Sequence, residues 1–551
     1  MNNSLKKLIE DSIIEALGEQ GNSPPIFITQ PKKREWGDLS TNLPFSLSRK
    51  TGESISKIGE RLVSSLKKKN FLSRVEFTPP GFLNFFISSQ YLVRTLKNVL
   101  LQRENFASFS YGKGKKVHID FVSANPTGPL HIGHARGAAI GDSLANILSK
   151  VGYKVEREYY ICDVGGQIER LSRSVWVRLQ ELEGKRVFFP EDGYKGDYVI
   201  EIARKAKKDL KEELSTEKKE ERLLDLLGKF TVKEILKEIK KDLEDFGVKY
   251  DSWFAESTLY ENREIFKTID ELQKRGYTYE KDGALWFKAS LFLKEEKDRV
   301  LKRKNGEYTY FARDISYHQN KLSRGFDRMI NVWGQDHIGY APFLKVAVEN
   351  LDPFHRSPEI IIYQFVTLMR GKEKISASTR EGEFISLREV LNEIGKDVAR
   401  FFFVSCNADT HLKFDLELAK KQSAENPVFY IQYAHARICS IFKKAKKEGI
   451  KLEDPEKIRL TSLGEPEEIK IMKKICLYPD VVKEAAEALE PHHLVGYAEE
   501  LAALFHQFYT KHRVISDDKI LTLARLCLVE AVRIVIEDTL TLLGISAPQM
   551  M

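Results

Sequence analysis

His131-Ile132-Gly133-His134 sets two imidazoles three residues apart with a glycine between them. Residues at that spacing share one side of a helix, so both rings can address one ligand. An imidazole N–H can share the charge that builds on a phosphoryl group in a transition state. A helix start adds unused backbone N–H groups and the positive end of the helix dipole, both suited to phosphate. Gly133 carries no side chain, so a base or ribose can approach the backbone there. The plainer use of a bare H-x-x-H is a helix cap or a surface pair. Here the whole tetrapeptide follows an apolar run, Asn125-Pro126 and a loop rich in Pro and Gly, and that setting favours a nucleotide site.

The elements needed to position it are legible around it. Lys115–Val122 reads as a buried strand, a helix begins near His131 and runs through Ala135, Ala138, Ile140, Leu144 and Ile147, and Val155–Ile161 reads as a second strand. Strand, helix, strand at this length is a βαβ unit and implies a parallel sheet. The signature then sits outside the carboxyl end of a strand, where open α/β sheets bind ligands.

Upstream, Leu5, Leu8, Ile9, Ile13, Ile14 and Leu17 share a helix face, and Ile55–Leu66 reads as a second helix. Val75–Phe77 and Phe82–Phe86 are short apolar runs, the latter behind Pro79-Pro80-Gly81. This predicts a small α+β domain over residues 1–110. The stretch from about Gly184 to Asp245 is densely charged and predicts helices with a solvated face. Short strands are expected at Gly283–Phe287, Tyr308–Phe311, Met329–Trp333 and Ile360–Phe365. From about Ile394 the pattern is almost purely helical, which predicts an α-bundle.

The chain has 551 residues, 42% of them hydrophobic and 30% charged, enough for several cored domains. No apolar run approaches ~18 residues, so no membrane span is expected. Residues 1–20 lack the apolar block of a signal peptide. The five cysteines, Cys162, Cys406, Cys439, Cys476 and Cys527, form no C-x-x-C pair, which argues against a disulfide framework or zinc finger and fits a reducing cytoplasm. The net charge of +8 permits an RNA partner without demanding one.

Residues 120–141, DFVSANPTGPLHIGHARGAAIG, resemble the HIGH segment of class I aminoacyl-tRNA synthetases, and Asn125–Pro129 with Arg136-Gly137-Ala138 resemble its arginyl branch. The resemblance implies that ATP is held by Pro126, Thr127, Gly128, His131, Gly133 and His134. It also implies a lysine-serine loop with the second part of the catalytic apparatus, and Lys374-Ile375-Ser376-Ala377-Ser378 fits it. Lys374, Ser376 and Ser378 then join the histidines as catalytic residues, and Lys372 joins Lys374 in binding ATP. Ala377 departs from the pattern by replacing a second lysine; Lys372 or Arg380 is its candidate substitute. A second register, through Ser378-Thr379-Arg380, remains open.

Tyr310-Phe311-Ala312-Arg313-Asp314 and Val332-Trp333-Gly334-Gln335-Asp336-His337 are similar to arginyl-family segments. By that similarity Tyr310 and Asp314 hold a guanidinium, and Asn125 the α-carboxylate or carbonyl. Asp120, Ser123, Asp336 and His337 line the same pocket. An acidic pocket suits a planar cation. Asn426–Ile438 resembles the family's anticodon-binding helix, with Tyr430, Gln432, Tyr433 and Arg437 as RNA contacts. In the N-terminal domain Phe82 and Asn84 are the candidates for tRNA contact.

These readings predict an α/β enzyme. Its Rossmann-like class I catalytic domain spans 111–393 with a helical insertion over about 184–290, between the N-terminal domain and an all-α anticodon-binding bundle at 394–551. The implied activity is ligation of L-arginine to tRNA(Arg) with ATP and its Mg²⁺, by a cytoplasmic monomer with no metal site of its own, no membrane and no DNA partner. A class I synthetase for lysine, and a synthetase-like RNA-binding protein without turnover, are the rival readings.

Overall fold

The structure is a computed structural model that describes residues 4–18, 24–217, 219–294, 297–371, 373–374, 385–452 and 454–551. It divides into two compact units, Ser110–Lys421 and a second built from Met1–Phe109 with Gln422–Met551.

Five parallel strands form the sheet of the first unit. Their spatial order is Glu359–Tyr363, Arg328–Gly334, Lys116–Phe121, Lys154–Ile161 and Ser252–Ala255. In chain order these are strands five, four, one, two and three. The strand order therefore reverses between Lys116–Phe121 and Arg328–Gly334, and such a reversal opens a crevice at the carboxyl ends of the two strands. Val117, Ile119 and Phe121 on one face and His118 and Asp120 on the other are all buried, as in a central strand covered on both faces. Phe121 faces the helix Ile132–Lys150, which passes so close that a Cβ on Gly141 would lie 2.2 Å from its ring.

The opposite face carries an unusual polar row. Asn331, Asp120 and Glu158 are in register on three neighbouring strands, and all three are buried. The helix Tyr310–Ser323 covers this row and supplies the partners of its side chains. That helix is anchored by Phe311, Ala312 and Ile315, which share a core with Phe287 and Leu301 of a small antiparallel sheet, Thr278–Lys281, Ala284–Phe287 and Arg299–Lys302. The charged stretch forms the helices Asp197–Asp209, Lys211–Thr216 and Glu220–Asp245.

Two expectations change. Tyr308–Phe311 is not a strand: Thr309 caps a helix, its hydroxyl accepting from the Ala312 N–H at 3.4 Å, and Tyr310 opens the first turn. Three aromatic residues in four look like strand material, but tertiary packing of Phe311 decides the outcome. The stretch beyond Ile394 is not uniformly helical either. Leu412–Asp415 is a strand parallel to Val366–Arg370, its Leu412 and Phe414 buried on one face.

In the second unit an antiparallel sheet of Leu39–Thr41, Phe82–Ile87 and Leu72–Thr78 packs with helices that include Leu5–Leu17 and Ile55–Leu66. Five longer helices, Pro427–Lys447, Pro466–Cys476, Tyr478–Ala488, His492–Lys511 and Lys519–Leu542, form a bundle. Asp38 pairs with Lys473 of that bundle at 2.7 Å. Among the described residues no helix is long and apolar enough to cross a membrane.

Gly141→Ala tests the close helix–sheet contact. A helix-interior alanine ordinarily gains stability over glycine, but here its methyl overlaps buried Phe121. A net loss of about 1–3 kcal/mol is expected from urea unfolding followed by fluorescence, four of the five tryptophans lying in this unit. Equal or greater stability would refute the packing argument.

Candidate active site

The crevice between the first and fourth strands is floored by backbone held in a strained form. Val122 and Ser123, just past the first strand, both have positive φ, 68° and 38°. Such angles are costly for a β-branched residue and persist only where the surroundings enforce them. They turn the Ser123 hydroxyl back to donate to Asp120 Oδ1 at 2.5 Å, while Ser123 Oγ accepts from the Tyr160 N–H at 3.0 Å. The next loop is pinned by the Tyr159 hydroxyl on Ala124 O and the Tyr198 hydroxyl on Thr127 O. Pro126 is buried, Thr127 and Gly128 are half-buried, and Asn125 is exposed, its amide donating to Gln167 Oε1 at 2.8 Å.

The two signature histidines do cap the helix, and in doing so they become useful donors. His131 Nδ1 accepts from the Gly133 N–H at 3.1 Å, and His134 Nδ1 accepts from the His131 N–H at 3.3 Å. Their rings stack with centroids 3.7 Å apart. Burial lowers the pKa of both, and for His134 the neighbouring His131 adds to it. Neutral rings whose Nδ1 atoms accept must carry their protons on Nε2. The pair therefore offers two neutral Nε2–H donors at a helix N-terminus. The capping and phosphate-binding readings of this motif are compatible.

The segments flanking the lysine-serine loop are tied to the signature. On the far side, the Ile132 N–H donates to Ile385 O and the Leu387 N–H to Leu130 O, pairing His131 with Ser386 across a short bridge. On the near side, Val366–Arg370 and Glu373–Lys374 form a hairpin that turns at Gly371, whose φ is 60°. The Gly371 N–H donates to Asp415 Oδ1. Arg136, fully buried on the signature helix, donates to Gln364 O, Asn407 O and Thr410 O. Lys374 is exposed on the hairpin. Lys372, Ser376 and Ser378, with Ala377 and Arg380, lie outside the described residues.

On the other wall, Asp314 is buried and accepts from the Tyr340 hydroxyl at 2.7 Å. Burial raises its carboxyl to about 8, the charges of Glu256 and Asp120 adding to the effect and Tyr340 opposing it. Tyr310 lies one turn before it on the same helix face, its ring 5.8 Å from that of Tyr340. Glu256 is buried beside them, paired with Arg313 and accepting from the Tyr160 hydroxyl. Asp120 is also buried, and Lys321 lies 3.4 Å from its second oxygen. Asp336 and His337 stand at the end of the fourth strand, 3.5 Å apart, with Asp336 mostly exposed. Nothing in the sequence signalled Tyr340, Lys321 or the Glu256–Arg313 pair.

In the second unit Phe82 is 42% exposed, edge-on to Phe45, while the buried Asn84 amide donates to Thr78. Gln432 is buried and donates to Ser546 O. Tyr430 packs on His506. Arg437 lies over the rings of Tyr433 and Tyr509, at the edge of a cavity of about 590 Å³ also lined by Lys443, Lys444 and Met551.

Three family models cover the chain: "Arginyl tRNA synthetase N terminal domain" at residues 3–87, "tRNA synthetases class I (R), catalytic domain" at 95–438, and "DALR anticodon binding domain" at 431–551. The chain is similar to a protein named arginine–tRNA ligase from Syntrophotalea carbinolica, 44% identical across the whole of both chains. It is also similar to one so named from Moorella thermoacetica, 46% identical over 96% of this chain and 94% of the relative. Its fold matches the solved arginyl-tRNA synthetase of Thermus thermophilus at a TM-score of 0.80, covering 99% of this chain and 100% of the other at 22% identity.

The tautomers assigned to the signature histidines can be read directly. At pH 7, ¹⁵N NMR is expected to show Nδ1 as the unprotonated nitrogen and Nε2 as the N–H nitrogen for both rings. A protonated Nδ1 on either ring would contradict the capping geometry.

Proposed function

Because the chain belongs to the class I arginyl-tRNA synthetase family and is an arginine–tRNA ligase, we propose that the crevice is where arginine is activated, with the roles divided as follows. Asp314 and Tyr310 receive the guanidinium. Tyr340 orients Asp314 through its hydroxyl. Asn125 takes the α-carboxylate or carbonyl of the amino acid, and Ser123, Asp336 and His337 complete the walls above Asp120. The single observation that carries this assignment is a buried carboxylate, Asp314, beside two tyrosine rings and without an ion-pair partner among the described residues. A buried carboxylate is stabilised in its charged form by a cation, and a guanidinium offers it two parallel N–H donors.

ATP is assigned to the loop from Pro126 to Gly128 and to the start of the signature helix. The Nε2–H groups of His131 and His134 face charge developing on the phosphates, and Gly133 leaves room for close approach. An oxygen of the arginine carboxylate attacks the α-phosphorus in line. The bond to the departing pyrophosphate breaks, and arginyl-adenylate forms. Mg²⁺ is assigned to the ATP phosphates rather than to protein ligands. Lys374 is assigned to the leaving pyrophosphate, along with Lys372, and Ser376 and Ser378 belong to the same loop. Most of the rate gain comes from positioning and electrostatics. A 3′-terminal hydroxyl of tRNA(Arg) then attacks the activated carbonyl, and AMP leaves.

RNA contacts are assigned to exposed Phe82 and to Tyr430, Tyr433 and Arg437, where flat rings and a stacked guanidinium suit unpaired bases. Asn84 and Gln432 support these surfaces from beneath. The protein is read as a monomeric cytoplasmic enzyme with tRNA as its nucleic-acid partner.

The test is ATP–pyrophosphate exchange with each of the twenty amino acids, with and without total tRNA. Exchange with arginine alone, appearing only when tRNA is present, is the expected result. Exchange with lysine would overturn the pocket assignment, and tRNA binding without any exchange would overturn the catalytic one.

A further inference from the structure

Arg136 on the signature helix is fully buried, and its hydrogen-bond partners include no carboxylate. The guanidinium donates to three backbone carbonyls: Gln364 O at 2.8 Å, Thr410 O at 2.9 Å and Asn407 O at 3.0 Å. Cys406 Sγ lies 3.4 Å from the nitrogen that serves Asn407. A charge buried among carbonyls is costly, and an apolar side chain of similar volume would hold the helix at lower free energy. What the guanidinium adds is direction: a rigid planar fork fixes several acceptors at once.

The three carbonyls lie at the roots of two paired strands. Gln364 comes just before Val366–Arg370, and Asn407 and Thr410 come just before Leu412–Asp415. The two strands run parallel, with Val366 opposite Leu412 and Met369 opposite Asp415. The Gln364 N–H donates to Ala408 O at 2.9 Å and the Leu412 N–H to Phe365 O at 3.3 Å, which ties the roots together. The first strand then turns at Gly371 into Glu373–Lys374, with Met369 opposite Lys374. The Gly371 N–H, donating to Asp415 Oδ1 at 3.2 Å, fixes that turn to the second strand. Hydrogen-bonded pairing therefore runs from the Arg136 guanidinium to the backbone of Lys374.

Gly137 lets the helix come this close. A Cβ there would lie 2.8 Å from the ring of Tyr363, the residue before Gln364. Arg136 stands two positions beyond His134, about 200° around the helix, so its side chain leaves on a different side from the histidine rings. It is turned into the protein and acts through the strands.

We propose that Arg136 is a positioning residue that sets the register between the signature histidines and the lysine hairpin. Its backbone belongs to the helix that the histidines cap, and its guanidinium holds the roots of the strands that lead to Lys374. One side chain thus places both sets of phosphate-directed groups. The return of the chain beyond the hairpin is fixed separately, by the bridge between His131 and Ser386, so Arg136 governs the outgoing limb. The inference rests on the assignment of Lys374 to the leaving pyrophosphate made above.

A double-mutant cycle tests it. The readout is kcat for ATP–pyrophosphate exchange in the presence of tRNA, with arginine Kd measured by calorimetry on the same proteins. Arg136→Met keeps much of the volume and removes every donor. Its kcat should fall about a hundredfold, the effect of an ångström-scale misplacement, while arginine Kd stays within about twofold of native. The Kd is spared because Asp314 and Tyr340 stand on other elements. Lys374→Ala should lower kcat strongly in the native background but by less than about threefold once Arg136 is Met, because the hairpin is then already displaced. Arg136→Lys restores the charge without the planar fork, so its kcat should lie between native and Arg136→Met. Should Arg136→Met fail to fold, Arg136→Lys takes its place in the cycle, with the same criterion of non-additivity.

Native kcat in Arg136→Met would overturn the inference, since packing alone would then suffice. Full native kcat in Arg136→Lys would overturn it as well, because charge alone would then suffice. A fall in kcat matched by an equal loss of arginine affinity would mark general loosening and count against it. Lys374→Ala separates failure of the inference from failure of the reading beneath it. If that variant alone keeps native kcat, the assignment of Lys374 falls and this inference falls with it. If it loses turnover but the two substitutions multiply in the cycle, Lys374 keeps its role and the inference about Arg136 alone fails.

Discussion

The reversal of strand order between Lys116–Phe121 and Arg328–Gly334 is the constraint on which the candidate site depends. Helices from the two strands lie on opposite faces of the sheet, so the carboxyl ends part. Each side of the opening then receives a different chemistry. The first strand leads through two strained residues into the Pro/Gly loop and the signature helix, with its neutral imidazole donors. The fourth strand leads into Gly334–His337, and the helix before it brings Asp314 to the same opening. Two neutral imidazole donors and a buried carboxylate thus belong to the two sides of one opening because of topology, although more than 170 residues separate them in the chain.

Charge within the sheet follows from the same arrangement. A central parallel strand is normally apolar on both faces. Here one face carries Asn331, Asp120 and Glu158 in register, and the covering helix answers with Tyr317, His318 and Lys321. Buried polar groups are tolerated when each finds a partner. Glu158 shows the result: hydrogen bonds from His118, Arg324 and Tyr317 outweigh burial and hold its carboxyl well below the usual range. Asp314 shows the converse, a carboxylate pushed up to about 8 by burial with one hydroxyl partner. The contrast between these two acids marks Asp314 as the candidate ligand-binding group more clearly than exposure does, since both are buried.

Much of this was legible in the residues and some was not. The βαβ unit was readable because strand, Pro/Gly loop and helix differ sharply in composition. Tyr308–Phe311 was misread because aromatic residues favour strands locally, while the packing that makes this stretch a helix comes from Phe287 and Leu301. Lys321 was not found for a deeper reason. Tyr310, Asp314, Tyr317, His318 and Lys321 recur at helical spacing, and a periodic polar stripe ordinarily marks the solvent face. Here that stripe faces a polar row on the sheet, so the rule that assigns polar residues outward points the wrong way. The tie between Ile132 and Ile385 was equally hidden, because backbone hydrogen bonds leave no mark on side-chain type.

The central claim is that a buried Asp314, largely protonated when the pocket is empty, becomes the charged partner of the arginine guanidinium. Calorimetric titration of the protein with arginine at pH 7, in buffers of different ionisation enthalpy, counts the protons exchanged on binding. Release of about one proton per arginine is predicted, and it should vanish in Asp314→Asn. Arginine binding with no proton released, or undiminished release in Asp314→Asn, would contradict the account.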